Sequence, residues 1–269
     1  MGKKWPIRQL PVWLFFLAAL LWFVGCAPTQ PDTAGSSALP PDKNMLRVGV
    51  SPFSPPLIFK QNNNIVGLEA DLARELAKYT GKSLHFVELK WEDQIQALLD
   101  NRIDIIMSGM SGMSVTPLRK MRISFTMPYF KSAQMPLIRR KDAARFSTGL
   151  YSVETIGVIK GTTGEEFVET EFSSLKIKLY SDPRRAAKDL INNEIDMFIY
   201  DAPMVLYLAS ENETKGLTVL YTFLKEEELA WGVRKDNVEL LESANDFLQT
   251  FNEAGDLNKV IKYWIPLAK

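Results

Sequence analysis

The sequence predicts an α/β protein of two similar lobes behind an N-terminal leader. Three observations point there. Strand and helix patterns alternate from Met45 onward, as crossover-connected parallel sheets require. The most apolar strands end at residues that open helices. Two stretches, Ser132–Arg139 and Leu229–Val233, read as crossings between the lobes. No sequence period repeats, which excludes a solenoid.

Taken in order, Leu46–Val50 is a short apolar strand that stops at Ser51-Pro52-Phe53-Ser54-Pro55-Pro56. Leu68, Leu72, Leu76 and Tyr79 recur at helical spacing, so Leu68–Tyr79 is an amphipathic helix ended by Gly81. Leu84–Leu89 is a strand, and Ile95, Leu98 and Leu99 line a second helix. Ile103–Met107 is a near-continuous apolar strand, the pattern of a strand covered on both faces. Thr116-Pro117 opens a short helix with a capping hydroxyl and a first-turn proline. The second half repeats the order. Strands fall at Thr155–Ile159, Lys176–Tyr180 and Ile195–Tyr200. Helices fall at Gly164–Phe172, after Asp182-Pro183 and after Asp201-Ala202-Pro203. Leu240, Leu241, Ala244, Phe247, Leu248 and Phe251 follow a 3.6-residue period. That long helix, and a last one reaching Trp264, should pack back on the first lobe.

The leader is separate. Lys3, Lys4 and Arg8 precede the uncharged apolar run Leu10–Val24, which falls short of the ~20 residues a membrane-spanning helix needs. A basic head and an apolar core of this length form a secretory signal. It ends at Phe23-Val24-Gly25-Cys26, a lipobox-like tetrad with a small residue before the cysteine. We expect residues 1–25 to be a signal peptide. Cys26 is the expected lipid attachment point, and 26–44, rich in Pro, Ser and Thr, a flexible tether.

Composition narrows the function. The chain has 269 residues, with 32 basic and 32 acidic side chains. That balance gives no basic surface for nucleic acid. One cysteine and one histidine exclude a disulfide framework, a Cys-rich zinc site and the His-x-x-x-His zinc helix. No cofactor or metal is expected. His85 reads as a strand residue and the methionines of Met107–Met113 as packing.

The chemistry-bearing residues cluster where strands give way to helices, the edge at which open α/β sheets bind ligands. Ser111-Gly112-Met113-Ser114-Val115-Thr116-Pro117-Leu118-Arg119 combines hydroxyls, a Gly backbone and a helix N-terminus with an arginine fork. Together these suit one small carboxylate, although a simple cap with a solvated arginine uses the same residues. Gly161-Thr162-Thr163-Gly164-Glu165-Glu166 is a second helix start, with Thr163 and Glu166 spaced as a capping box. It lacks the Gly-Lys-Ser/Thr of a phosphate loop. Asp201 can cap a helix and also face an ammonium. Trp91 and Phe53 can flank an apolar or flat group, or pack in the core.

In this order, the motifs resemble those of the bacterial extracellular solute-binding proteins of the polar amino-acid type (family 3), which serve ABC importers. The resemblance rests on Gly67-Leu68-Glu69-Ala70-Asp71-Leu72, Ser114-Val115-Thr116-Pro117-Leu118-Arg119 and Pro128-Tyr129-Phe130, followed by Gly161-Thr162-Thr163 and Asp201. It spans Met45 to about Pro266. It implies a type II periplasmic-binding-protein fold, each lobe a mostly parallel sheet flanked by helices, with two hinge crossings. Lobe 1 would comprise 45–134 and 234–269, lobe 2 residues 135–233. It further implies that Arg119, with Ser114 and Thr162 or Thr163, takes the ligand's α-carboxylate. Asp201 would take the α-ammonium with help near Ser111 and Gly112, and Trp91 would pack on the side chain. Glu69 and Asp71 would shape their helix start.

Three departures stand out. Ser108-Gly109-Met110 is duplicated as Ser111-Gly112-Met113, leaving open which copy meets ligand. Ser51 replaces the loop acid that many relatives carry, which points away from a basic ligand. The loop aromatic is displaced to Phe53, with Ser54 at the matching position. The implied function is a lipid-anchored, monomeric receptor in the periplasm or at the cell surface. It would close on an amino acid or similar zwitterion and deliver it to an ABC permease. The rivals are an enzyme resembling periplasmic cyclohexadienyl dehydratases, with Glu69 or Glu88 as general acid, and a sensor feeding a membrane receptor.

Overall fold

The computed structural model describes residues 42–112, 121–146 and 152–266. The leader, Cys26, most of the tether and the helix expected at Thr116-Pro117 lie outside them. Within them the chain has two lobes, each built on its own sheet.

The first lobe opens with β1 (Met45–Val50). A hairpin region follows, with β2 (Phe53–Ser54), β3 (Ile58–Gln61) and β4 (Asn64–Val66) forming a small antiparallel sheet. Helix α1 (Leu68–Tyr79) buries Leu68, Leu72 and Leu76 completely. Each such burial contributes about 2 kcal/mol. Tyr79, on the edge of that face, is half exposed and leans on Phe247, ring centroids 5.6 Å apart. β5 (Ser83–Glu88), α2 (Gln94–Leu99), β6 (Ile105–Ile106) and β7 (Ile123–Phe125) complete the first pass. The strand expected over 103–107 pairs only at Ile105 and Ile106, although Ile103, Ile105, Ile106 and Met107 are all buried.

β8 (Phe130–Arg139) then crosses into the second lobe. There β9 (Thr155–Ile159), β10 (Lys176–Tyr180) and β11 (Met197–Asp201) alternate with α4 (Thr163–Glu171), α5 (Pro183–Ile191) and α6 (Ala202–Glu211), after a short α3 (Ala143–Phe146). β12 (Leu217–Val219) and β13 (Lys225–Leu229) pair end to end along one edge of β8, and β14 (Gly232–Arg234) returns to the first sheet. Helices α7 (Val238–Glu253) and α8 (Asp256–Trp264) close the chain. They pack on the first lobe as expected: Leu240, Ala244, Phe247 and Leu248 share a core with Leu46, Val48 and Leu76.

The strand orders are β5-β1-β6-β14-β7 and β10-β9-β11-β8-β12, with β13 on β8. The mostly parallel sheets expected are parallel over β5-β1-β6 and β10-β9-β11. The minority antiparallel pairing lies at the other end of each sheet, where every pair involving β8 or β14 is antiparallel. The reason is topological. These strands cross between the lobes or return, so no crossover helix sets their direction.

Candidate functional site

The two hinge strands and the end of β11 form one polar surface. Register places Asp201 opposite Gln134, and Glu227 opposite Ser132. Cross-strand partners share a sheet face, and Ser132 and Gln134 are two apart, so all four side chains project the same way. Gln134 Nε2 donates to Asp201 Oδ1 at 2.6 Å. Ser111 Oγ donates to Glu227 Oε2 at 2.6 Å. Gln134 and Glu227 are 0% and 2% exposed. Gln134 Oε1, Glu227 Oε1 and Ser132 Oγ have no hydrogen-bond partner among the described residues. Neither Asp201 nor Glu227 has a basic partner there. Burial, followed by the neighbouring charge of Glu227, raises the Asp201 pKa well above the ordinary carboxylate range, partly offset by the bond from Gln134.

The duplicated loop divides its labour. In the first copy, Ser108 Oγ accepts from Ser51 N–H at 2.7 Å and from Gln94 Nε2 at 3.0 Å, and Gly109 N–H donates to Glu69 Oε2 at 2.6 Å. That copy is tied to the first lobe. The second runs along the return crossing. Ser111 bridges Leu229, and Gly112 N–H donates to Glu228 O at 2.8 Å. A Cβ on Gly112 would stand 2.5 Å from that of Ala230. Gly112→Ala is therefore expected to destabilise the chain by about 1–3 kcal/mol through overpacking, visible as a lower denaturation midpoint.

Glu69 is 0% exposed, and burial pushes it up to about 8, against smaller opposing effects of Tyr129 and Gly109 N–H. Asp71 pairs with Arg74 and accepts from Trp264 Nε1 at 2.8 Å, tying α1 to the C-terminal helix. Both acids thus hold the frame.

On the second lobe Thr162 caps α4. Its Oγ1 accepts from Glu165 N–H at 3.4 Å and donates to Ile159 O at 2.7 Å. The capping pair expected at Thr163 and Glu166 is one residue earlier, because the helix begins at Thr163. Glu165 Oε2 reaches back to Gly161 N–H at 2.5 Å. Thr163 is buried in the first turn, where N–H groups have no intrahelical acceptor. Gly164 lets this turn approach the hinge, since a Cβ there would lie 2.6 Å from Gln134 Oε1.

The lobes touch at Trp91, whose Nε1 donates to Gly161 O at 3.0 Å. A cavity of about 430 Å³ lies there, between Trp91, Met110 and Thr162, rimmed by Glu92, Glu165, Glu166 and Glu169. Ser54 reaches the hydroxyl of Tyr200, a second approach between the lobes. Phe53 is 50% exposed on β2. A larger cavity of about 1030 Å³ runs along the hinge, lined by Ser132, Ala133 and Met135 of β8 and by Glu227 of β13.

The structure therefore brings Asp201, Ser111, Gly112, Thr162, Thr163 and Trp91 to the hinge and cleft. Arg119 and Ser114 lie outside the described residues. Gln134 and Glu227 escaped the sequence reading, although a polar residue inside a buried crossing strand was a usable signal.

The family model of bacterial extracellular solute-binding proteins, family 3, matches residues 46–266. The chain is similar to ABC transporter arginine-binding protein 1 of Escherichia coli (strain K12), with 29% identity over 87% of this chain and 94% of that protein. Its structure resembles that of an ancestral arginine-binding protein bound to arginine, with TM-score 0.74 and 28% identity over 83% of this chain and 99% of the other. It also resembles an ancestral amino acid-binding protein described as a precursor of cyclohexadienyl dehydratase, with TM-score 0.72 and 28% identity over 82% and 95% of the two chains.

Proposed function

The chain belongs to the bacterial extracellular solute-binding proteins, family 3, and from that premise we propose that it captures an amino acid or similar small zwitterion and delivers it to an ABC permease. One observation carries the reading: the Asp201–Gln134–Glu227–Ser111 cluster, a buried acceptor surface with no cation of its own among the described residues. Such a surface is costly until a cation fills it. The ligand's ammonium goes to Asp201. Its carboxylate goes to Arg119, with Ser114 and the start of α4 at Thr162 and Thr163. Trp91 and Phe53 flank the side chain. Groups from both lobes then meet on one ligand, so the ligand favours the closed state by its extra contacts there.

Residues 1–25 act as the signal peptide, Cys26 carries the lipid, and 26–44 hold the body off the membrane. Lobe 1 takes 45–134 and 234–269, and lobe 2 takes 135–233. Among the described residues no helix is long and apolar enough to cross a membrane. Mass spectrometry of the native protein should find Cys26 acylated; an unmodified thiol there rejects the anchor alone.

Catalysis is the weaker reading. Of the two acids considered for it, Glu69 is sealed beneath Gly109, and Glu88 pairs with Lys60 at 2.7 Å on an outer strand. Calorimetry of the purified protein against the common amino acids tests binding. Micromolar binding of at least one is expected, and Arg119→Ala should weaken it at least tenfold, about 1.4 kcal/mol or more. No binding to any amino acid rejects the function. Unchanged binding in Arg119→Ala rejects the carboxylate assignment. Aromatic product from arogenate or prephenate would instead support the dehydratase.

A further inference from the structure

Glu227 lies on β13, away from the loops that hold the other expected ligand contacts. It is nearly fully buried, and only one of its oxygens is satisfied, by Ser111. The other, Oε1, stands on the same sheet face as Gln134 Oε1 and Ser132 Oγ, and all three lack partners among the described residues. A carboxylate oxygen, an amide oxygen and a hydroxyl together suit a group with several N–H donors, such as an ammonium or guanidinium.

Charge counting leads to the same place. Asp201 and Glu227 contribute two carboxylates, and Arg119, in the reading above, one cation. A zwitterion adds no net charge, so one buried carboxylate would stay unpaired, which is unfavourable. A ligand with one extra positive charge closes the count. The four glutamates around the Trp91 cavity add a field of the same sign.

We propose that Glu227 selects the ligand by its charge, holding a second cationic nitrogen beside Gln134 and Ser132, so that the substrates are amino acids with a basic side chain. The assignment rests on the amino-acid reading above. It replaces the expectation drawn from Ser51: the acid missing from that loop is supplied from the hinge. Protonation of one carboxylate is the alternative way to close the count, and it would leave neutral amino acids equally good ligands.

Titration calorimetry on the full-length protein with arginine and citrulline, and with lysine and norleucine, separates the two. Each pair differs chiefly in charge. The basic member should bind at least tenfold more tightly, the size of effect a buried charge pair produces. Glu227→Gln should cut that ratio roughly tenfold, because it removes the charge that tells the basic member from its neutral counterpart. Ser132→Ala, which removes one neutral acceptor, should narrow the ratio in the same direction and serves if Glu227→Gln fails to fold. An unchanged ratio in a folded variant, or equal binding of both members by the wild type, overturns the assignment of Glu227 and leaves the amino-acid reading intact. If neither these compounds nor any common amino acid binds, both readings fall.

Discussion

Asp201→Asn is expected to weaken amino-acid binding by about 3 kcal/mol, on the order of a hundredfold, because it removes the buried carboxylate that faces the ammonium. The amide keeps an oxygen for Gln134 Nε2, so the local hydrogen bond survives. The unliganded protein should respond in the opposite sense. Asp201 and Glu227 repel, and burial penalises the Asp201 charge; asparagine removes both effects. Lower affinity with an equal or higher melting temperature is the expected signature. A variant that loses stability and affinity together would mean Asp201 is a structural cap.

The same residue dictates a pH dependence. Its pKa is raised by burial and by Glu227, so it takes up a proton more readily than an ordinary carboxylate, and an ionised ammonium must displace that proton. Affinity should fall as pH is lowered from mildly alkaline toward acidic values. Calorimetry in buffers of different ionisation enthalpy should show a proton released on binding. Unliganded stability runs the other way. Glu69 rises from an ordinary 4.5 to about 8, so the folded state binds more protons than the unfolded one between those values. Stability is then full below pH 4.5 for this group and declines as pH rises toward 8. A flat profile after the carboxyl pair Asp201 and Glu227 is neutralised would argue against the assignment.

Arg47→Ala is expected to cost about 3 kcal/mol of stability, the lower end for breaking a buried ion pair by removing one partner. Arg47 is buried on β1. It donates to both oxygens of Asp104, through Nε at 3.1 Å and Nη2 at 2.7 Å, and through Nη1 to Asn101 O at 2.6 Å. These bonds clamp the first strand to the turn that feeds β6, the strand leading into the duplicated loop. In a chain of this size the loss should lower the melting temperature by roughly 6–12 °C. A shift under about 2 °C would show that the clamp is redundant.

Much of the fold was legible because long elements carry redundant signals. Leu68–Tyr79, Thr155–Ile159 and Lys176–Tyr180 match their observed bounds, since apolar pattern and flanking breakers agree there. The helix expected at Asp182-Pro183 begins there, with Asp182 as its cap, accepting from Arg184 N–H at 2.9 Å. The short strands were not legible. β2, β4, β7 and β12 have two or three residues each, too few for a period, and exist because a neighbouring strand supplies their hydrogen bonds.

The site divides along the same line. Asp201, Thr162 and Trp91 sit at strand-to-helix junctions, where local chemistry marks them. Gln134 and Glu227 sit inside strands 93 residues apart, and neither stands at a strand end or a helix start. Ser111 and Glu227, 116 residues apart, meet only because β13 returns beside β8.

By itself, the sequence determined the family, the alternation of strands and helices, and the polar loops at the strand-to-helix junctions, because these follow from local periodicity and short motifs. Tertiary structure decided which copy of the duplicated loop reaches the hinge, and that two acids share one buried surface. Burial and strand pairing set those features, and both depend on residues that only the folded chain brings together.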